Sequence, residues 1–196
     1  MQVFFMNKKA GFTLVEILVV VLIIGILVAW AMPSYEKAVA EARSAQLQSS
    51  LSSAVKASET YYMATGRWPS SFNSLTFDSN LTTLPGSAST CDKNLLPKSV
   101  KRGKDFELVI YNASGNLQHN FISAHFIDGK YKCAGFVHYN YLGNGWQSAE
   151  ADLKGKTFCA EYLYNRNCTG YNCKNFCEQV MSKTFKRYVQ LINLFE

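Results

Sequence analysis

The sequence has no cysteine before Cys91 and no polar side chain in the 16 residues from Ile17 to Met32. It holds only 4 prolines and 17% charged residues in a chain of 196. Each scarcity excludes something. With few prolines and 14% aromatic side chains, the chain is neither collagen-like nor disordered, and it can build a packed core. Six cysteines confined to the stretch from Cys91 to Cys177 place any disulfide framework late in the chain. An uncharged apolar run at one end and clustered cysteines at the other do not suit a plain cytosolic enzyme. No nucleophile–base set, phosphate-binding loop or pair of catalytic carboxylates occurs, so enzymatic activity is not expected. No cofactor is expected either.

The length fits one domain with an appendage. Twenty basic and 14 acidic side chains give a net charge of +6. That balance permits a nucleic-acid or membrane-surface partner without requiring one.

The chain opens with a segment carrying Lys8 and Lys9, then Ala10-Gly11, then Phe12-Thr13-Leu14-Val15-Glu16 and the apolar run. Phe12 to Met32 is 21 residues. As a helix it would be about 31 Å long, close to a bilayer core, and the preceding lysines would hold the start in the cytoplasm. A secretory signal peptide cut near Ala29-Trp30-Ala31 and a plain membrane anchor both explain the run. Neither explains Glu16, whose carboxylate costs on the order of 3 kcal/mol in lipid. No basic residue lies between Lys9 and Lys37 to pair with it. Cleavage after Gly11 would create an α-amino group on Phe12, four residues before Glu16. Amine and acid could then pair between neighbouring, staggered helices.

Lys-Lys-Ala-Gly-Phe-Thr-Leu-Val-Glu, followed by Ile-Leu-Val-Val-Val-Leu-Ile-Ile-Gly-Ile-Leu, resembles the class III prepilin signature of type IV pilins and pseudopilins. The likeness covers roughly Lys8 to Pro33 and continues more loosely to about Pro69. It implies cleavage between Gly11 and Phe12 by prepilin peptidase and N-methylation of Phe12. It implies that Glu16 neutralises the N-terminus of an adjacent subunit during assembly. It also implies a helical homopolymer, and as partners an inner-membrane platform protein, assembly and retraction ATPases and an outer-membrane secretin. The precursor would sit in the inner membrane with a single span, and the filament would be extracellular.

The organisation that follows is a leader over 1–11, a membrane and filament-core helix over 12–32, and an amphipathic continuation over 33–66. A connecting loop over 67–104, an antiparallel sheet over 105–147 and a cysteine-rich region over 148–196 complete it. Gly25 and Pro33 are expected to kink the helix. Beyond Pro33, Tyr35, Val39, Ala42, Ala45, Leu51, Ala54, Val55, Ser58, Tyr61 and Tyr62 roughly follow a helical period, with Leu47 nearby. Gly66 and Pro69 supply the stop.

The stretch 70–100 reads as a loop, with Pro85-Gly86 and Pro97 as breakers. Phe106 to Tyr111, Leu117 to Ile127 and Lys130 to Tyr139 read as strands, the last two joined at Asp128-Gly129. A two-residue turn there sets Phe126 opposite Tyr131, Ala124 opposite Cys133 and Ile122 opposite Gly135, on an apolar face that packs against the helix. The fold class is therefore α+β, a long N-terminal helix against an antiparallel sheet. The same register sets His119 opposite His138. Two histidines without a third ligand more often share a strand face than bind a metal, and no metal site is expected.

Lys98, Lys101, Arg102 and Lys104 form a basic cluster. It reads first as a solvated loop edge and second as a site for DNA or another polyanion. Six cysteines allow 15 pairings. We expect Cys91–Cys133, Cys159–Cys177 and Cys168–Cys173, the second because it resembles the disulfide-bounded C-terminal region of type IV pilins. Zinc is disfavoured because the spacings lack the paired C-x-x-C pattern.

Family members commonly end in a strand or loop after the last cysteine. Here Phe176, Val180, Met181, Phe185, Tyr188, Ile192 and Phe195 recur at helical spacing between basic residues, a candidate amphipathic helix. The leading functional reading is a type IV pilus subunit, with adhesion, twitching motility or DNA uptake by family analogy. The alternatives are a minor pilin, a type II secretion pseudopilin, or a secreted binding module released by ordinary signal peptidase.

Overall fold

The computed structural model describes residues 11–77, 80–85, 88–91, 99–113, 119–142, 154–160 and 176–181. The chain divides into two compact units, Met1–Ala40 and Glu41–Glu196.

The first described element is α1, Leu14–Thr65. Its early part is rich in Leu, Ile and Val, and the large apolar side chains from Ile17 to Met32 are exposed in the isolated chain. This helix is long and apolar enough to cross a membrane, with a mean hydropathy of 2.9 over its most apolar window. In lipid a helix is favoured because every backbone N–H and C=O must be satisfied within the segment. The helix continues through both Gly25 and Pro33.

Within the second unit, α1 buries Ser44, Leu47, Leu51, Ala54, Val55 and Ser58, while its other positions are half-buried or exposed. Steps of three and four residues place these on one stripe, as an amphipathic helix requires. The helix stops at Gly66, whose φ of 69° is open to glycine and whose N–H bonds the Tyr62 carbonyl at 2.8 Å. Tyr62 stacks on Trp68 just beyond the stop, with ring centroids 4.3 Å apart.

Six strands form one antiparallel sheet in sequence order: β1 (Thr82–Pro85), β2 (Ser99–Arg102), β3 (Phe106–Ala113), β4 (His119–Phe126), β5 (Gly135–Leu142) and β6 (Thr157–Ala160). Pairings such as Leu108↔Ala124 and Ile110↔Ile122 put these residues on one face. Asn112 and Asn120 share that face and donate to the Pro69 carbonyl at 3.4 and 3.1 Å. Asn140 donates to Asn120 Oδ1 and to Ser58 Oγ of α1, at 2.6 and 3.1 Å. The opposite face holds Val100, Val109, Tyr111, Phe121, Val137, Tyr139, Phe158 and Ala160 in a second buried cluster. Both faces of the sheet are thus removed from water along the central strands.

Three expectations change. The segment 67–104 is not a plain loop: it contributes a short 3₁₀ turn at Phe72–Ser74 and strands β1 and β2. Four-residue strands carry too little alternation to stand out in a sequence.

The β4–β5 connection is also longer than two residues. Gly129 does take a positive φ of 81°, but the turn runs on to Ala134, with Cys133 at φ 67°. Ala124 therefore faces Phe136, not Cys133, and Ile122 faces His138, not Gly135; Phe126 pairs with Phe106 on β3, and Tyr131 lies in the turn. The same shift separates the two histidines, because His119 pairs with Leu142.

Candidate functional site

Thr13 precedes the first helical residue and Glu16 closes the first turn. The Thr13 N–H and hydroxyl both donate to Glu16 Oε2, at 2.8 and 2.6 Å. The Glu16 N–H donates back to Thr13 Oγ1 at 3.3 Å. This reciprocal arrangement is a capping box, in which two backbone donors at a helix start are satisfied by side chains. An acid in the first turn also faces the positive end of the helix dipole. Glu16 is therefore held at the start of a helix whose following four turns are apolar. The Thr-x-x-Glu spacing was readable as a capping signal, and Thr13 is the one residue of this site that the sequence reading passed over. Phe12 is exposed next to it.

A family model described as the prokaryotic N-terminal methylation motif matches residues 6–32. The chain carries the class III signal of type IV pilins and pseudopilins. No curated protein and no solved structure matches the chain. The pilin-like α+β architecture stands with the motif: one long N-terminal apolar helix and a six-stranded antiparallel sheet.

In the second unit, Glu107 on β3 is a fully buried acid. Its Oε1 accepts from Ser89 Oγ at 2.7 Å, the Thr90 N–H at 2.8 Å and His125 Nε2 at 2.9 Å. Its Oε2 accepts from Arg102 Nε at 3.0 Å and Nη2 at 2.7 Å. Burial pushes the Glu107 carboxyl up, but hydrogen bonding and attraction from His125, with donors from Ser89 and Arg102, outweigh it and hold the group at about 2. Arg102 also donates to the Ala88 carbonyl. The cluster joins β2, β3, β4 and the 88–91 segment. Every oxygen of the acid is occupied, so it serves as a polar strut and offers no reactive group.

This arrangement divides the expected basic cluster. Arg102 is committed to Glu107. The Lys101 ammonium lies over the Phe77 ring, 4.8 Å from its centroid. Lys104 is exposed and lines a cavity of about 410 Å³ together with Gln46, Ser49, Ser53, Phe77 and Asn80. Lys98 lies outside the described residues.

His138 is buried, and burial pushes its imidazole down to about 4. Its Nδ1 hydrogen-bonds Thr157 Oγ1 at 2.8 Å.

Cys91 is bonded to Cys133 and Cys159 to Cys177. The first bridge ties the 88–91 segment to the β4–β5 turn. The second fastens a π-helical turn, Phe176–Val180, beside β6. Phe176 packs on Phe126 and Phe136 with centroids 5.5 and 5.8 Å away. Cys168, Cys173 and the tail beyond 181 lie outside the described residues.

Proposed function

We propose that this chain is the structural subunit of a type IV pilus. The observation that carries the reading is the methylation motif over residues 6–32, joined to an apolar helix whose only early charge is Glu16. On this reading prepilin peptidase cuts between Gly11 and Phe12 and methylates Phe12. The precursor is a single-span inner-membrane protein. A platform protein, assembly and retraction ATPases and a secretin then build and export a helical homopolymer.

Burial of Leu, Ile and Val side chains between neighbouring helices supplies cohesion once the helix leaves lipid. The Phe12 amine and the Glu16 carboxylate set the register, because a mis-stepped subunit would leave a buried charge unpaired. Gly25 and Pro33 are the positions where the helix can bend, and Cys168 and Cys173 would form a third disulfide. Lys98, Lys101, Arg102 and Lys104 are the basic cluster that a polyanion such as DNA would meet.

Mass spectrometry of the mature N-terminus tests the class: a chain beginning at methylated Phe12 supports it, and one beginning at Met32 sinks it. Glu16→Ala is expected to be processed and to form few filaments. A type II secretion pseudopilin carries the same motif, and electron microscopy of surface filaments separates the two.

A further inference from the structure

The two bridges of the second unit sit in different surroundings. Cys159 and Cys177 are 0% and 3% exposed. Cys133 is half-buried in the β4–β5 turn, beside the exposed Lys132. An attacking thiolate needs access to a sulfur, and a neighbouring cation favours it. Asp128, exposed on the same turn, offsets part of that attraction. Cys133 is also the one non-glycine residue at positive φ among the described residues, at 67°. Left-handed backbone is costly for a residue with a Cβ and persists where its surroundings enforce it. Two constraints act here. The Cys133 N–H donates to the Phe126 carbonyl at 2.8 Å, and its sulfur is tied to Cys91. Cutting the sulfur link removes one of them. The freed Cys91 thiol would have an acceptor in reach, because its Sγ lies 3.6 Å from the same Phe126 carbonyl.

Cys91 directly follows Ser89 and Thr90, whose hydroxyl and N–H donate to Glu107 Oε1 at 2.7 and 2.8 Å. The bridge therefore ties both donors covalently to the turn next to the buried acid. We propose that Cys91–Cys133 is a thiol–disulfide exchange site for an external dithiol, and that opening it withdraws Ser89 and Thr90 from Glu107. One thiolate of the dithiol attacks Cys133 Sγ, and the electron pair of the broken S–S bond leaves on Cys91. The dithiol's second sulfur then attacks its first, and the Cys133 sulfur is released. Two electrons and two protons pass to the protein. Cys91 and Cys133 end as thiols, and the dithiol ends as an internal disulfide. Cys159 and Cys177, shielded from solvent, do not react on the same timescale.

The full chain in detergent is treated with dithiothreitol for increasing times, new thiols are alkylated, and peptide mapping assigns each label. Cys91 and Cys133 should be labelled at least about tenfold faster than Cys159 and Cys177. Hydrogen exchange on the same samples should show the Thr90 amide exchanging several-fold faster once Cys91 is labelled, with β4 and β5 still protected. The double variant Cys91→Ser, Cys133→Ser should show the fast Thr90 amide without dithiothreitol and no further change with it. Equal labelling rates at the two bridges, or earlier labelling of Cys159 and Cys177, overturn the proposal. An unchanged Thr90 amide in the reduced wild-type chain overturns it too. So does loss of protection across the whole sheet at the same moment, which would be global unfolding. A further rise in the double variant on adding dithiothreitol would place the effect at another bridge and also overturn it.

Discussion

Glu107 Oε1 and His125 Nε2 lie 2.9 Å apart with both side chains fully shielded from solvent. The two residues face each other across the β3–β4 ladder. Because the carboxyl is held at about 2, it is ionised at neutral pH and the imidazole Nε2 must carry the hydrogen between them. A buried acid is tolerable here because the donors arrive from three directions: Ser89 and Thr90, Arg102, and the ladder partner His125 itself. Removing Arg102 or His125 leaves the buried carboxylate short of donors, which is costly.

Stability should fall in two steps on acidification. His138 sits at about 4 against an ordinary 6.5, so the unfolded chain takes up its proton first and stability declines as pH drops from 6.5 toward 4. Glu107 sits at about 2 against 4.5, so its contribution is present above 4.5 and is lost as pH falls toward 2. Each displacement corresponds to roughly 3 kcal/mol. Urea unfolding of the full chain in detergent, measured across these windows, checks both. His138→Gln should flatten the upper window and leave the lower one.

Arg102 and Lys104 are two residues apart and should behave oppositely. Arg102→Met strips two donors from a buried carboxylate and should cost about 2–3 kcal/mol. Lys104→Ala, exposed and without an ion pair among the described residues, should stay within about 0.5 kcal/mol. Equal effects would show that the division of the basic cluster is wrong. Urea midpoints for the two variants decide it.

Gly135→Ala should destabilise by roughly 2–3 kcal/mol or more. Gly135 pairs with His125, and a Cβ there would collide with the Ala124 carbonyl and the His125 backbone. Backbone atoms held by ladder pairing cannot move aside as a side-chain tip can. A shifted thermal midpoint, with near-ultraviolet circular dichroism to confirm native packing below it, is the measurement.

Replacing both Cys91 and Cys133 by serine should cost about 2–4 kcal/mol. The bridge spans 42 residues and anchors the segment that delivers Ser89 and Thr90 to Glu107. The loss should therefore not add simply to that of Glu107→Gln. A double-mutant cycle on unfolding free energies tests the coupling.

Elements with a long repeating pattern were legible in the sequence. The stripe through Leu47, Leu51, Ala54 and Ser58 shows its period, and Gly66 marks the stop by needing a backbone that other residues resist. The alternation in β3, β4 and β5 likewise survives into the structure. Their register did not, because Asp128-Gly129 looks like a complete two-residue turn. Glycine there does adopt the expected sign of φ, but Cys133 adopts it too, and nothing in a cysteine announces that. β1, β2 and β6 are four residues each, too short for a period to show. Glu107 was invisible as a buried group for another reason. Alternation marks it as the polar, outward side of a strand, which holds only while that side stays wet.

That outward side is dry. Tyr111, Phe121 and Tyr139 sit on it and are almost fully shielded, as are Leu108 and Ile110 on the other. The strands consequently act as an inner lamina. Surface that this unit presents to other molecules is drawn from its connecting segments more than from the central strands. Those segments can diversify in sequence while the lamina stays the same.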